Sequence, residues 1–285
     1  MSSAEQTPPY TGAGQDDATH RPRRIRTHHL QRFKDASERF AMLTSYDAMT
    51  AAVFDEAGVE VLLVGDSASS VVMGRKTTLP ITVDELLVFA TSVVAGAQRA
   101  LVVVDLPFGS YESSPQQAVE TSVRFLKEAG VAAVKLEGDA SLAGHVEALV
   151  SAGIPVMAHV GFTPQSEHAL GGYRVQGRGE ARQKVIDDAV ALQDAGAFSV
   201  LMEMVPAEVA AEVDRTLRVP TIGIGAGSAT TGQVLVWQDM LGLNSGRVPR
   251  FVKQYADLRS VMTQAVATYR EDVVTGRFPG EEHSF

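Results

Sequence analysis

The chain of 285 residues contains no cysteine, and that absence closes several routes at once. It excludes disulfides, thiolate metal sites and a cysteine nucleophile. Any bound metal must be held by oxygen or imidazole, which favours a hard ion such as Mg²⁺. Also missing is an apolar stretch of the roughly 20 residues needed to cross a bilayer. The opening Met1-Ser-Ser-Ala-Glu-Gln6 lacks the apolar core of a signal peptide, so a cytoplasmic location is expected. Positive charge is in deficit, 25 Lys and Arg against 34 Asp and Glu, for a net charge of −9. That balance argues against a nucleic-acid or anionic-membrane surface. Neither a Ser-His-Asp nor a His-Glu-x-x-His pattern stands out.

What is present describes a globular protein, 45% hydrophobic and 21% charged. Residues 1–24 are rich in Thr, Pro, Gly, Gln and Asp and have little to bury, so they read as a disordered tail before a single domain at 25–285. The basic run from His20 to Arg26 is short, carries no interleaved aromatics and reads as a solvated leader.

A repeated punctuation follows. Ala57-Gly58, Ala129-Gly130, Ala152-Gly153 and Ala195-Gly196 each close a helix-like segment and open an apolar run. Glycine ends helices in the left-handed conformation, so these are helix-to-strand junctions of repeated βα units. Eight strands are expected, at 40–46, 59–65, 100–106, 131–136, 155–160, 198–205, 220–225 and 234–237. Helices are expected at 83–97, 115–129, 181–195, 207–217 and 255–275. Eight units in this length match a closed (β/α)₈ TIM barrel, with an open doubly wound sheet as the alternative.

Three successive apolar runs end on acids. Val61-Leu-Leu-Val-Gly65 runs into Asp66, Leu101-Val-Val-Val104 into Asp105, and Val131-Ala-Ala-Val134 into Lys135-Leu136-Glu137. Any one of these could cap the next helix. Together, at the C-terminal ends of strands about 4.8 Å apart, they lie within reach of one ion. Mg²⁺ takes only one or two carboxylates directly, so Asp66 and Asp105 are the expected inner ligands, with Glu137 direct or through water.

Lys135 shares a strand face with Glu137 and reads either as a structural ion pair or as a cation for a substrate carboxylate. Glu203, inside Leu201-Met-Glu-Met-Val205, reads as a general base for a C–H next to a carbonyl, or as a glutamate satisfied by backbone amides. His159 ends a strand and could serve the site or the core. The segment from Gly161 to Glu180 holds five glycines and two arginines and reads as a lid over an anionic ligand or as a surface excursion. Gly223-Ile-Gly225-Ala-Gly227-Ser228 suits a phosphate turn or a tight turn of small residues.

The strand ends, taken in order, resemble one family. The stretches are Thr44-Ser-Tyr-Asp47, Val64-Gly-Asp-Ser67, Thr78-Leu-Pro80, Asp105-Leu-Pro-Phe108, Val134-Lys-Leu-Glu-Gly138, His159-Val-Gly-Phe-Thr-Pro-Gln-Ser166, Gly171-Gly-Tyr-Arg-Val-Gln-Gly-Arg178, Ile222-Gly-Ile-Gly-Ala-Gly227 and Phe278-Pro-Gly-Glu-Glu-His-Ser-Phe285. From about Thr27 onward the chain resembles the ketopantoate hydroxymethyltransferases. The resemblance implies a TIM barrel with Mg²⁺ that moves the one-carbon unit of 5,10-methylenetetrahydrofolate to 3-methyl-2-oxobutanoate. The reaction passes through a Mg²⁺-stabilised enolate and makes 2-dehydropantoate for pantothenate and coenzyme A. By motif it implies a metal site of Asp66, Asp105 and Glu137, a substrate site of Asp66, Ser67, Asp105 and Lys135, and Glu203 as the proton acceptor. It also implies a homodecamer. The rivals are a Mg²⁺-dependent 2-oxo acid lyase of the isocitrate lyase or phosphoenolpyruvate mutase kind, and a catalytically silent, metabolite-sensing barrel.

Overall fold

A computed structural model describes residues 24–246 and 248–285. The expected tail therefore lies outside the described residues, apart from Arg24. Eight parallel strands close into a barrel in sequence order: β1 (Phe40–Thr44), β2 (Val61–Val64), β3 (Leu101–Asp105), β4 (Ala133–Glu137), β5 (Val156–Gly161), β6 (Ser199–Glu203), β7 (Thr221–Ile224) and β8 (Gly232–Leu235). All eight expected strands form, and the open-sheet alternative falls because β8 pairs with β1.

The main helices are α1 (Thr27–Asp35), α2 (Ala48–Glu56), α3 (Val83–Gly96), α4 (Pro115–Arg124), α5 (Ala143–Ser151), α6 (Ala181–Asp194), α7 (Ala207–Thr216) and α8 (Leu258–Val274). Their ends are local chemistry. Thr82 accepts from Glu85 N–H while Glu85 accepts from Thr82 N–H, a reciprocal cap that starts α3. Ser114 caps α4 just before Pro115, which costs nothing in the first turn because its missing N–H would be unpaired there. The expected helix 115–129 is α4 extended by a π-helical turn, Phe125–Ala129, in which Gly130 N–H donates to the Phe125 carbonyl. Gly130 then takes a left-handed φ of 78°, as the Ala-Gly signal requires. Among the described residues no helix links β7 to β8.

Side chains on each strand alternate between two apolar layers. Val102, Val104, Val134, Leu136, Ala158 and Val200 point outward to the helices. Val61, Leu63, Leu101, Val103, Ala133, Met157 and Leu201 fill the barrel interior, and Ile25 and Leu30 plug its N-terminal end. Lys34 Nζ fastens α1 there by donating to the Asp214 carbonyl at 2.7 Å. No described helix is long and apolar enough to cross a membrane.

Candidate active site

The inward alternation continues past the apolar layers to the C-terminal mouth. On β3 it runs Leu101, Val103, Asp105; on β4, Ala133, Lys135, Glu137; on β5, Met157, His159; on β6, Leu201, Glu203. Register sets neighbours side by side, with Asp105 opposite Lys135 and Glu137 opposite His159. Asp66 stands two residues past the end of β2, and its N–H donates to Asp105 Oδ2 at 3.0 Å. Every residue expected from sequence to form the site (Asp66, Ser67, Asp105, Lys135, Glu137 and Glu203) lines one cavity of about 240 Å³.

Asp66, Asp105 and Glu137 are buried and offer oxygens that all lie within 4.8 Å of one another. None caps a helix: Ser114 starts α4, and the Asp66 carboxylate accepts instead from Gln165 Nε2 at 2.9 Å. The Lys135 ammonium faces three acceptors, Asp105 Oδ1 at 2.9 Å, His159 Nδ1 at 3.1 Å and Glu137 Oε1 at 3.3 Å. Asp105 Oδ1 has the ion pair but no well-aligned hydrogen-bond donor.

Protonation follows from this crowding. Burial raises the Asp66 carboxyl well above its ordinary value, and Glu137 and Asp105 raise it further. Burial also raises Asp105, against the pull of Lys135. Burial disfavours the Glu137 anion too, but Lys135 outweighs it, helped by the Gln165 backbone N–H, and brings that carboxyl to about 2. Lys135 loses to burial and gains more from its three carboxylates, so it stays charged. Without another cation, then, buried acids must hold protons to coexist. Oxygen-only donors, converging lone pairs and surplus negative charge fit a hard divalent ion. Gly65 keeps the space open, since a Cβ there would stand 2.6 Å from Ser67 Oγ.

Glu203 differs from this triad. Among the described residues no hydrogen bond reaches its carboxylate, which removes the amide-satisfied reading, and its nearest partner is His159 Nε2 at 3.6 Å. Its side chain is 15% exposed, and burial followed by Glu137 pushes its pKa up to about 8. Burial, then Lys135, keeps His159 neutral.

The long segment after β5 is partly ordered by two short turns, Pro164–Ser166 and Glu167–Leu170. It returns to the mouth, where Tyr173 stacks on Phe162 at 4.7 Å. The glycine turn after β7 is explained by packing: a Cβ on Gly225 would meet the Phe251 ring at 2.9 Å, and one on Gly227 would meet Ala207 at 2.6 Å. Asp47 is the cap of α2, as its position suggests, and Tyr46 bonds to Ser67 Oγ at 2.8 Å. Sequence reasoning assigned no role to Tyr111 or Gln165. Gln165 stood inside a quoted motif, but nothing in one sequence says that a loop glutamine turns inward.

Acids and a lysine gathered inside the C-terminal mouth define a barrel enzyme with a candidate divalent-metal site. Comparison with known proteins makes this narrower. The family model for ketopantoate hydroxymethyltransferase matches residues 24–281, and the chain belongs to that family of transferases. A protein of Paenarthrobacter aurescens (strain TC1) named 3-methyl-2-oxobutanoate hydroxymethyltransferase is 68% identical over 262 residues, covering 92% of this chain and 87% of its own. One of the same name from Nocardioides sp. (strain ATCC BAA-499 / JS614) is 60% identical, covering 99% and 98%. Among solved structures, a phosphonopyruvate hydrolase complex with oxalate and Mg²⁺ superposes with a TM-score of 0.59 at 11% identity, over 91% of this chain and 93% of its own. A phosphoenolpyruvate phosphomutase from Streptomyces platensis subsp. rosaceus gives 0.57 at 17%, over 88% of each chain. These two likenesses concern the fold.

Proposed function

We propose that this enzyme, with residues 25–285 as its catalytic domain, transfers the one-carbon unit of 5,10-methylenetetrahydrofolate to 3-methyl-2-oxobutanoate and releases 2-dehydropantoate. The observation that carries the reading is the buried triad of Asp66, Asp105 and Glu137 beside Lys135, with Glu203 on the same cavity wall. Asp66 and Asp105 would hold Mg²⁺, with Glu137 direct or through water. The bound ion supplies Lewis acidity toward the oxygens of a 2-oxo acid.

Lys135 and Ser67 bind and orient the substrate carboxylate. Glu203, once ionised, takes the proton from C3, and the electron pair of the broken C–H bond forms the new C–C bond to the one-carbon unit. The two C–N bonds of that unit break with their electron pairs and protons returning to the folate nitrogens, one water supplies the hydroxyl oxygen, and tetrahydrofolate leaves. The cavity of about 240 Å³ suits a five-carbon acid, and it adjoins a larger one of about 1410 Å³. Tyr173, Glu203 and Phe251 line both. The larger space has Arg178 and Arg250 on its wall, neither in an ion pair among the described residues, which favours a big anionic co-substrate such as the folate. Arg182 there is paired with Glu212. The lyase reading is weaker because such enzymes usually use a reactive cysteine, and this chain has none. We place the enzyme in the cytoplasm as a homo-oligomer, a decamer by family resemblance.

The test is transfer by the purified full chain. Product should form only when 3-methyl-2-oxobutanoate, methylenetetrahydrofolate and Mg²⁺ are all present. Activity surviving rigorous chelation would remove the metal, and turnover of the 2-oxo acid without the folate would return the lyase reading.

A further inference from the structure

Behind the acid triad runs a closed set of hydrogen bonds that ends at Tyr111. Gln165 and Tyr111 are 6% and 1% exposed and come from different loops, 54 residues apart in sequence. Gln165 Nε2 donates to Asp66 Oδ2 at 2.9 Å and to the Leu106 carbonyl at 3.0 Å, which uses both protons of the amide nitrogen. Gln165 Oε1 accepts from the Tyr111 hydroxyl at 2.7 Å. The Gln165 backbone N–H donates to Glu137 Oε2 at 3.1 Å. The Tyr111 oxygen itself receives the Glu137 N–H at 3.3 Å. Its single proton has two acceptors in range, Gln165 Oε1 and the Glu137 carbonyl at 2.9 Å, and Oε1 is the nearer.

The two ends of an amide have almost the same shape and differ only in donating or accepting. Turned over beside an ionised Asp66, the state a bound cation requires, Gln165 would set its oxygen against the carboxylate and the Leu106 carbonyl, with no proton among the three. Asp66 most needs this support. It stands beyond the regular strand, where alternation no longer aims its side chain, and Gln165 is the only hydrogen-bond donor to its carboxylate among the described residues.

We propose that Tyr111 and Gln165 are positioning residues for the cation site: the phenol sets which way the Gln165 amide faces, and Gln165 holds Asp66 and Glu137 at the separation a divalent ion requires. This rests on the metal reading given above. Partners of metal ligands typically contribute about 10–100-fold in affinity. The phenol acts through the amide, so the two effects should not multiply.

The experiment is a Mn²⁺ titration of the full chain followed by electron paramagnetic resonance, with Tyr111→Phe, Gln165→Met and the double variant. Tyr111→Phe keeps the ring and should raise the Mn²⁺ dissociation constant about 10-fold. Gln165→Met should raise it at least as much, and the double variant no further than Gln165→Met alone. In Tyr111→Phe, saturating Mn²⁺ should restore kcat, which a general packing defect would not allow. Circular dichroism of the metal-free variants separates misfolding from lost affinity, and if Gln165→Met does not fold, Tyr111→Phe alone decides. Unchanged affinity in Tyr111→Phe, or losses that multiply in the double variant, overturn the positioning role while leaving the metal reading intact. A wild-type chain that binds no Mn²⁺ overturns both.

Discussion

At the scale of single residues, the site works by setting different carboxyls to different protonation states. Glu137, beside Lys135, is ionised down to about pH 2, whereas Glu203, largely buried and with no hydrogen-bond donor among the described residues, holds its proton up to about pH 8. For stability the signs are opposite. The raised group stabilises the fold below its unfolded value and loses that contribution as pH rises through about 8. The lowered one contributes above its unfolded value and loses it as pH falls through about 2. In the proposed reaction Glu203 must be ionised to accept a proton, and a nearby divalent ion would favour the ionised form. Exchange of the C3 hydrogen of 3-methyl-2-oxobutanoate with deuterated water, read by NMR with Mg²⁺ present, should therefore fall on acidification, with a midpoint below pH 8. Glu203→Gln should slow that exchange by about 10²–10⁴-fold while leaving substrate binding largely unchanged. Exchange at the wild-type rate would take the base role away from Glu203.

At the scale of elements, much was legible because the physics is periodic. Runs of Val and Leu, each following an Ala-Gly stop, mark strands buried on both faces, and alternation carries Asp105, Lys135 and Glu137 inward once the strands are placed. Asp66 was recognised by its place after a strand, although it falls out of alternation. What stayed hidden depends on contacts between distant loops. Nothing local shows that Tyr111 and Gln165 meet, and for the long glycine-rich segment the sequence left a lid over the mouth and a surface excursion both open. The β7–β8 connection was read as either a phosphate turn or a tight turn of small residues, and its glycines serve packing against Phe251 and Ala207. One glycine links backbone geometry to chemistry directly. Gly161 ends β5 with φ of 93°, opposite Glu203 in the register, and a Cβ on it would stand 2.5 Å from the Glu203 carbonyl oxygen. Gly161→Ala should destabilise the metal-free protein by roughly 1–3 kcal/mol, from the strained φ alone, and more if the strands must part. Urea unfolding checks this, and an unchanged midpoint would show that the strand ends can shift freely.

At the scale of the whole molecule, α8 is the element the single chain does not explain. It runs 17 residues without one buried side chain. A helix of that length is marginal in water on propensity alone, so its stability must come from packing. Met262, Val266, Tyr269 and Val273 are all exposed and recur at the three- and four-residue steps of one helical face. Arg259 and Arg270 border this stripe, and Glu271 and Asp272 lie on other faces of the helix. An apolar stripe of this kind on an otherwise well-buried barrel suits an interface. Since the family resemblance implies a homodecamer, the occupant we expect is another copy of the chain. Light scattering after size exclusion should give the wild type a mass several times its 30.4 kDa. Replacing both Val266 and Tyr269 with lysine, which leaves the barrel core untouched, should shift it to smaller species with circular dichroism of the barrel preserved. A wild-type protein that runs as a monomer at micromolar concentration would mean that α8 covers nothing of its own kind.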